Sequence, residues 1–364
     1  MSSKSEDSKL GSRMVLPSTH QDSTLILIFL LYRNYCIYLC ISVTATLAGT
    51  LDTISSRLSI HIRMAKSKVM ITGASGLFGR AISREFSGHS NWDVLGLAFS
   101  RARDGMKKVD LTKPEEVQEV MQSYKPNVVV HAAAERRPDA VEKQEEAVKR
   151  LNVDATTTLC EEASKVGAWV LYISTDYVFD GESPPYQVDA ETNPINKYGI
   201  SKRNGEIAAL DVSKENCVLR VPILYGQVET LNESAVTCLF PPVMDTSKPC
   251  KMNDFEKRYP ASVDDLAVVI RQFAEQKMKV SSLNGIFHYS GTEQKTKYEM
   301  ALAMAEIFNI TTEHIIADKE SVSGAKRPYD TRLDSSRLEL LGIGQRTPFK
   351  EAIKKCLEPF YSTK

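Results

Sequence analysis

Thr72-Gly73-Ala74-Ser75-Gly76-Leu77-Phe78-Gly79 sets three glycines at intervals of three residues, directly after the short apolar run 69–72 and ahead of a helical pattern. Each glycine there has a physical task. One permits a tight turn, one lets a pyrophosphate approach the backbone, and one lets helix and strand pack closely, while the free N–H groups that open the helix face the phosphates. With its flanking elements, the stretch reads as the first strand, turn and helix of a dinucleotide-binding sheet. At the end of the next strand, about 20 residues on, an Asp or Glu would take the ribose hydroxyls of NAD. The chain instead has Phe99-Ser100-Arg101-Ala102-Arg103. Arg101 and Arg103 suit a 2′-phosphate, which an acid would repel, so NADP is favoured over NAD. The plain alternative is a solvated basic loop, and Asp104 weighs against the phosphate reading.

Outward from this loop, short Val- and Ile-rich runs at 69–72, 94–98, 128–131, 169–174 and 218–221 read as strands separated by helical patterns. Thr112-Lys113-Pro114-Glu115 reads as a capping box opening a helix to about Tyr124, and Thr296-Lys297-Tyr298-Glu299 as another to about Phe308. Near-continuous apolar strands divided by helices predict an α/β fold, a doubly wound parallel sheet covered on both faces. After about Pro222 the elements shorten and turn residues multiply. The expected division is therefore a dinucleotide-binding domain over 64–222, its last strand reaching about 226, and a smaller lobe over 223–364 interleaved with the sheet.

Length and composition agree with a globular chain: 364 residues, 42% hydrophobic and 25% charged, which excludes disordered and collagen-like classes. Lys and Arg together number 46, as do Asp and Glu, so no long-range field favours nucleic acid or an anionic membrane. Seven scattered cysteines, without a CxxC pair or zinc-type His spacing, read as reduced core thiols, and no metal site is expected.

Residues 1–63 differ from the rest. After a Ser-rich start, the stretch 24–51 is apolar except for Arg33, Asn34 and a few hydroxyls. As a helix it is long enough to be a membrane-segment candidate, though Arg33 falls near its middle, and Thr46-Leu47-Ala48 offers a weaker signal-cleavage reading. The third reading treats Met64 as the effective start, with 1–63 a non-core extension of a cytoplasmic protein.

Tyr198-Gly199-Ile200-Ser201-Lys202 puts a phenol and an ammonium on one helix face. A nearby cation is expected to lower the phenol pKa, making Tyr198 a proton donor to a carbonyl during hydride transfer. Ser174-Thr175-Asp176-Tyr177 follows a buried strand and brings a hydroxyl, assigned to Thr175, to the same place. His288, between Phe287 and Tyr289, reads as a hydrogen-bonded strand-end histidine, and Arg327-Pro328 equally as a surface turn or as part of a substrate lobe.

The glycine loop, Ile173-Ser174-Thr175-Asp176-Tyr177-Val178-Phe179-Asp180-Gly181, the Tyr198/Lys202 pair and the segment 220–226 resemble extended short-chain dehydrogenase/reductases of the dTDP-4-dehydrorhamnose reductase group. Within it, His131-Ala132-Ala133-Ala134-Glu135-Arg136-Arg137-Pro138, Pro222-Ile223-Leu224-Tyr225-Gly226, Glu233-Ser234-Ala235-Val236-Thr237 and the segment 341–349 are similar to the methionine adenosyltransferase beta-subunit family. The resemblance implies a regulatory, non-catalytic subunit that binds NADP and associates with the methionine adenosyltransferase catalytic subunit. It implies cofactor contacts at Gly73, Ser75, Gly76, Leu77, Phe78 and Gly79, at Phe99 and Arg101, at Asp110 and Leu111, and at Ala132, Arg136, Tyr198, Lys202 and Leu224. Asp110 stands where an amide is expected. Partner contact is expected at Leu357, Pro359, Phe360 and Tyr361, weakened because the family usually continues into a longer basic and aromatic tail. The competing class is an NADPH-dependent reductase of a 4-keto-sugar nucleotide using Thr175, Tyr198 and Lys202.

Overall fold

The computed structural model describes residues 23–32, 35–44, 58–103, 105–320 and 324–361, with side chains from 65 onward. Two compact units result, Met1–Ser67 and Lys68–Lys364. In the first, β1 (Ser23–Tyr32) pairs antiparallel with β2 (Tyr35–Thr44), from Ser23 opposite Thr44 to Tyr32 opposite Tyr35, and β3 (Leu58–Met64) joins the other edge of β2. The membrane-helix candidate is thus extended wherever it is described. Its Ile, Thr, Val and aromatic residues suit a pleated strand, whereas in a helix β-branched side chains lose χ1 freedom. Among the described residues no helix is long and apolar enough to cross a membrane. Arg33, Asn34, the Thr46–Ala48 cleavage reading and Asp104 lie outside the described residues.

The second unit is built on a seven-stranded sheet. Its strands are β4 (Ser67–Thr72), β5 (Trp92–Ala98), β6 (Met106–Lys108), β7 (Val128–His131), β8 (Trp169–Thr175), β9 (Cys217–Val221) and β13 (Gly285–His288), in the order β13-β9-β8-β7-β4-β5-β6. The pairs β13–β9, β9–β8, β8–β7, β7–β4 and β5–β6 are all parallel. The five expected strands are all present, and the doubly wound α/β expectation holds.

Strand residues alternate between two apolar layers. Val69, Ile71, Val128, Val130 and Leu219 pack with Ile82 and Phe86 of α1 (Leu77–Ser87) and Leu266 and Ile270 of α5 (Val263–Lys279). Met70, Val129, Val170 and Val218 pack with Val117 and Val120 of α2 (Pro114–Tyr124) and Leu159 of α3 (Ala155–Lys165). Because both faces are covered, the strands read as continuous hydrophobic runs.

The second expected capping box is present: the Thr296 side chain and Glu299 cap each other's backbone N–H at the start of α6 (Lys297–Ile307). The first is not. Pro114, which lacks an N–H, takes the start of α2, so Lys113 rather than Thr112 is the N-cap and has no side-chain cap bond. Thr112 instead bonds the Asp110 carboxylate, and Glu116, not Glu115, accepts from the Asp110 N–H at 2.8 Å.

The chain after Pro222 does two things. It returns β13 and α5 to the main sheet, and it builds a lobe around Phe240, Met252, Met300, Met304, Phe308 and Ile353. Two short parallel pairs belong to this part: β10 (Leu224–Tyr225) with β12 (Ala261–Ser262), and β11 (Cys250–Asn253) with β14 (Ile315–Asp318). One buried ion pair braces the sheet. Arg220 of β9 donates to both Glu206 carboxylate oxygens at 2.8 Å, its other face meeting His288 at 3.2 Å. His288 is buried and hydrogen-bonded, as expected, and burial beside Arg220 pushes its pKa down to about 3.

Candidate functional site

The strand order reverses at β4: the chain first adds β5 and β6 on one side, then β7 and its successors on the other. A crevice outside the carboxyl ends of β4 and β7 is the expected consequence. A cavity of about 930 Å³ lies there, and every residue assigned above to cofactor contact or to the hydroxyl, phenol and ammonium set borders it, from Gly73 through Asp110 and Ala132 to Leu224.

Its floor fits a pyrophosphate. Gly73 has φ +68°, and a Cβ there would come within 3.0 Å of the Ala133 Cα, so the loop and the segment after β7 approach as only glycine allows. A Cβ at Gly79 would meet the Gly73 carbonyl at 2.1 Å. Gly76 caps α1 without a side-chain bond and the first turn has no acid, so the positive end of the helix is open toward the cavity.

Beside this floor, Arg101 borders the cavity, whereas Arg103 does not. Both are held by an acidic segment that sequence reasoning did not assign to the site. Arg101 reaches Glu233 Oε1 at 3.2 Å, Arg103 grips both oxygens of Glu229, and Arg80 of α1 donates to the two Glu233 oxygens at 3.1 and 2.7 Å. Burial opposes ionisation of Glu233. Hydrogen bonds from Arg80, the Glu229 N–H and Arg101 overcome it and bring its pKa to about 2.

Thr175 ends β8. Its hydroxyl donates to Asp176 Oδ1 at 3.1 Å and accepts from the Tyr177 N–H at 3.2 Å. Tyr198 and Lys202 lie one turn apart on α4 (Lys197–Val212), which Asn196 caps by accepting from the Gly199 N–H at 2.8 Å. The expected lowering of the Tyr198 pKa is overturned. Burial is the larger effect and drives the phenol well above its usual value, against the opposing hydrogen bond with Thr175. Burial likewise pushes Lys202 down to about 7, with Glu206 working the other way, and its ammonium lies 4.0 Å from the Tyr172 ring centroid.

A further group of basic residues on the cavity carries no sequence motif. Arg258 is buried, pairs with Glu256 at 2.9 Å and donates to the Pro328 carbonyl at 2.9 Å. Arg327 borders the cavity and pairs with Asp139 at 2.9 Å, so the substrate-lobe reading of Arg327-Pro328 fits better than the surface turn. Burial, together with the like charges of Arg327 and Arg258, lowers the Lys297 pKa.

The C-terminal residues expected to meet a partner are largely engaged within the chain. Leu357 is wholly buried in the lobe, which does not fit a surface anchor. Tyr361 packs 4.6 Å from the Phe308 ring and donates to the Phe308 carbonyl at 3.0 Å, Phe360 packs on the same cluster, and Pro359 is exposed.

The RmlD substrate binding domain family matches residues 67–362. Methionine adenosyltransferase 2 subunit beta of Bos taurus is 48% identical over 301 residues, covering 82% of this chain and 90% of that protein. The dTDP-4-dehydrorhamnose reductase of Aggregatibacter actinomycetemcomitans is 27% identical over 303 residues, covering 79% and 97%. A crystal structure of dTDP-4-dehydrorhamnose reductase from Bacillus anthracis, in complex with NADP, superposes with a TM-score of 0.70 at 25% identity, covering 81% of this chain and 99% of that one. With the glycine loop, the parallel sheet and nearly the full length of such relatives accounted for, the chain belongs to the RmlD substrate binding domain family and, within it, to the methionine adenosyltransferase 2 beta subunits.

Proposed function

We propose that this chain is a non-catalytic regulatory subunit of methionine adenosyltransferase, cytoplasmic, which binds NADP in the cavity and modulates S-adenosylmethionine synthesis, and so one-carbon metabolism, by the catalytic subunit. The observation that carries the reading is 48% identity over 301 residues to the bovine beta subunit. The Gly73–Gly79 loop would hold the pyrophosphate, Arg101 the 2′-phosphate, and Asp110 and Leu111 the adenine end, with Ala132, Arg136 and Leu224 toward the nicotinamide.

A second reading, an NADPH-dependent reductase of a 4-keto-sugar nucleotide, is favoured by one observation: Thr175, Tyr198 and Lys202 border the same cavity as basic Arg258, Lys297 and Arg327. NADPH would supply the hydride there and Tyr198 the proton. Co-purification with the catalytic subunit, run beside an NADPH-oxidation assay with dTDP-4-dehydrorhamnose, separates the two. A complex that changes S-adenosylmethionine synthesis without NADPH turnover supports regulation. Turnover abolished by Tyr198→Phe, with no complex, overturns it. Partner contact is assigned to exposed Pro359 with the accessible edges of Phe360 and Tyr361.

A further inference from the structure

Glu233 is tied to both rims of the cavity. Its carboxylate takes Arg80 in α1 and Arg101 after β5, while its carbonyl accepts from Arg136, after β7. The segment is drawn in further on the upstream side. Glu229 accepts from Arg103, lies 3.7 Å from Arg80, and donates its N–H to Glu233 Oε2 at 2.8 Å, while Arg80 also donates to the Gln227 and Ser75 carbonyls. Downstream, the segment is anchored. The Ser234 hydroxyl donates to the Leu224 carbonyl at 2.8 Å and Val236 is buried in the lobe.

The guanidinium best placed for a 2′-phosphate is therefore already paired with a carboxylate of the same chain. We propose that residues 229–233 form an acidic strap in which Glu233, flanked by Glu229, stands in for the 2′-phosphate on Arg101, so that NADP(H) must displace it and the two glutamates set the choice between NADP and NAD. This rests on the nicotinamide reading above. Two monoanionic carboxylates compete with one phosphate near charge −2, and the phosphate also offers three acceptor oxygens to the forked guanidinium donors. NAD carries no group that exchanges for the carboxylate on Arg101. It binds with the strap in place.

Calorimetric titration of the full chain with NADP⁺ and NAD⁺ tests the strap, for the unaltered protein, Glu233→Gln and Glu229→Gln. Glutamine keeps the size of the side chain and removes the competing charge. Glu233→Gln is expected to tighten NADP⁺ about three- to fivefold, the scale of one partly exposed ion pair, and to change NAD⁺ less than about twofold; Glu229→Gln shifts NADP⁺ in the same direction by less. Because Glu233 is mostly buried, Glu229→Gln keeps the test open if the first variant does not fold. Hydrogen exchange gives an independent readout: saturating NADP⁺, and not NAD⁺, speeds exchange at the Glu229 amide, whose acceptor is Glu233. Equal effects on both nucleotides, weaker NADP⁺ binding in the variants, or unchanged exchange overturns the strap. Loss of NAD⁺ binding in Glu233→Gln makes this residue a ribose-hydroxyl acceptor and also overturns it. If the unaltered chain binds neither nucleotide, the nicotinamide reading fails. NADP⁺ binding gained by the variant that combines Glu229→Gln with Glu233→Gln then still supports the strap, and none there removes it.

Discussion

The Lys202 ammonium sits 4.0 Å from the centroid of the buried Tyr172 ring, at the edge of the cavity and one helical turn from Tyr198. An ammonium against an aromatic face gains a cation–π contact, yet burial still lowers its pKa from 10.5 to about 7. Between those two values the folded chain binds fewer protons than the unfolded chain, so the Lys202 contribution to stability rises with pH through this window and its full cost stands below about 7. Compared with Lys202→Met, the unaltered protein should gain up to about 1.4 kcal/mol per pH unit between pH 7.5 and 9.5 in urea unfolding. Parallel pH curves for the two proteins are incompatible with this burial effect.

The Arg220–Glu206 pair is buried, and each partner compensates the charge of the other. Glu206→Gln should cost about 3–5 kcal/mol, because it leaves a guanidinium uncompensated beside a neutral His288. Lys355→Ala, which breaks the exposed pair with Glu351, should cost less than about 1 kcal/mol. Denaturant midpoints measured side by side decide this; equal losses contradict it.

Arg101 in place of an acid predicts tighter binding of NADP(H) than of NAD(H). Arg101→Ala should lower that preference roughly tenfold, the scale of a charge-assisted hydrogen bond, as read by calorimetry. Equal affinities in the unaltered chain would sink the assignment. Gly79→Ala should abolish binding of either nucleotide, since the added methyl meets the Gly73 carbonyl.

A chain beginning at Met64 should fold and keep its nucleotide affinity within about twofold, because residues from Lys68 onward form a compact unit with its own two-layered core. Loss of folding on removal of 1–63 makes that segment part of the fold.

Leu357→Ala should destabilise the lobe by about 2–5 kcal/mol and impair partner association only through unfolding. Tyr361→Phe should cost about 1 kcal/mol for the hydrogen bond to Phe308. Pro359→Ala should change stability by less than about 0.5 kcal/mol, so any loss of association with the catalytic subunit in that variant reports the interface directly.

Sequence alone determined the elements whose cause is local. The glycine spacing at 73, 76 and 79 dictated a strand–turn–helix, apolar runs bounded by helical patterns dictated a parallel sheet, and Thr296 with Glu299 capped a helix. The glycine turn and the cap depend on residues within a turn or two of one another, and the sheet signal on the short apolar run inside each strand. The capping box at Thr112 failed at the same range, because Pro114 fixes where that helix starts.

Tertiary structure decided what depends on burial and on residues far apart in the chain. Phenol and ammonium spacing suggested an acidified Tyr198. The desolvation that reverses this comes from strands and helices closing around it, which spacing cannot report. Glu233 meets Arg80 and Arg101 across more than 130 positions, and Arg258, Lys297 and Arg327 reach the cavity from the lobe without a motif. The aromatic C-terminal segment read as free for a partner because hydrophobicity alone gives no direction. Packing around Phe308 gives Leu357 and Tyr361 an intramolecular place.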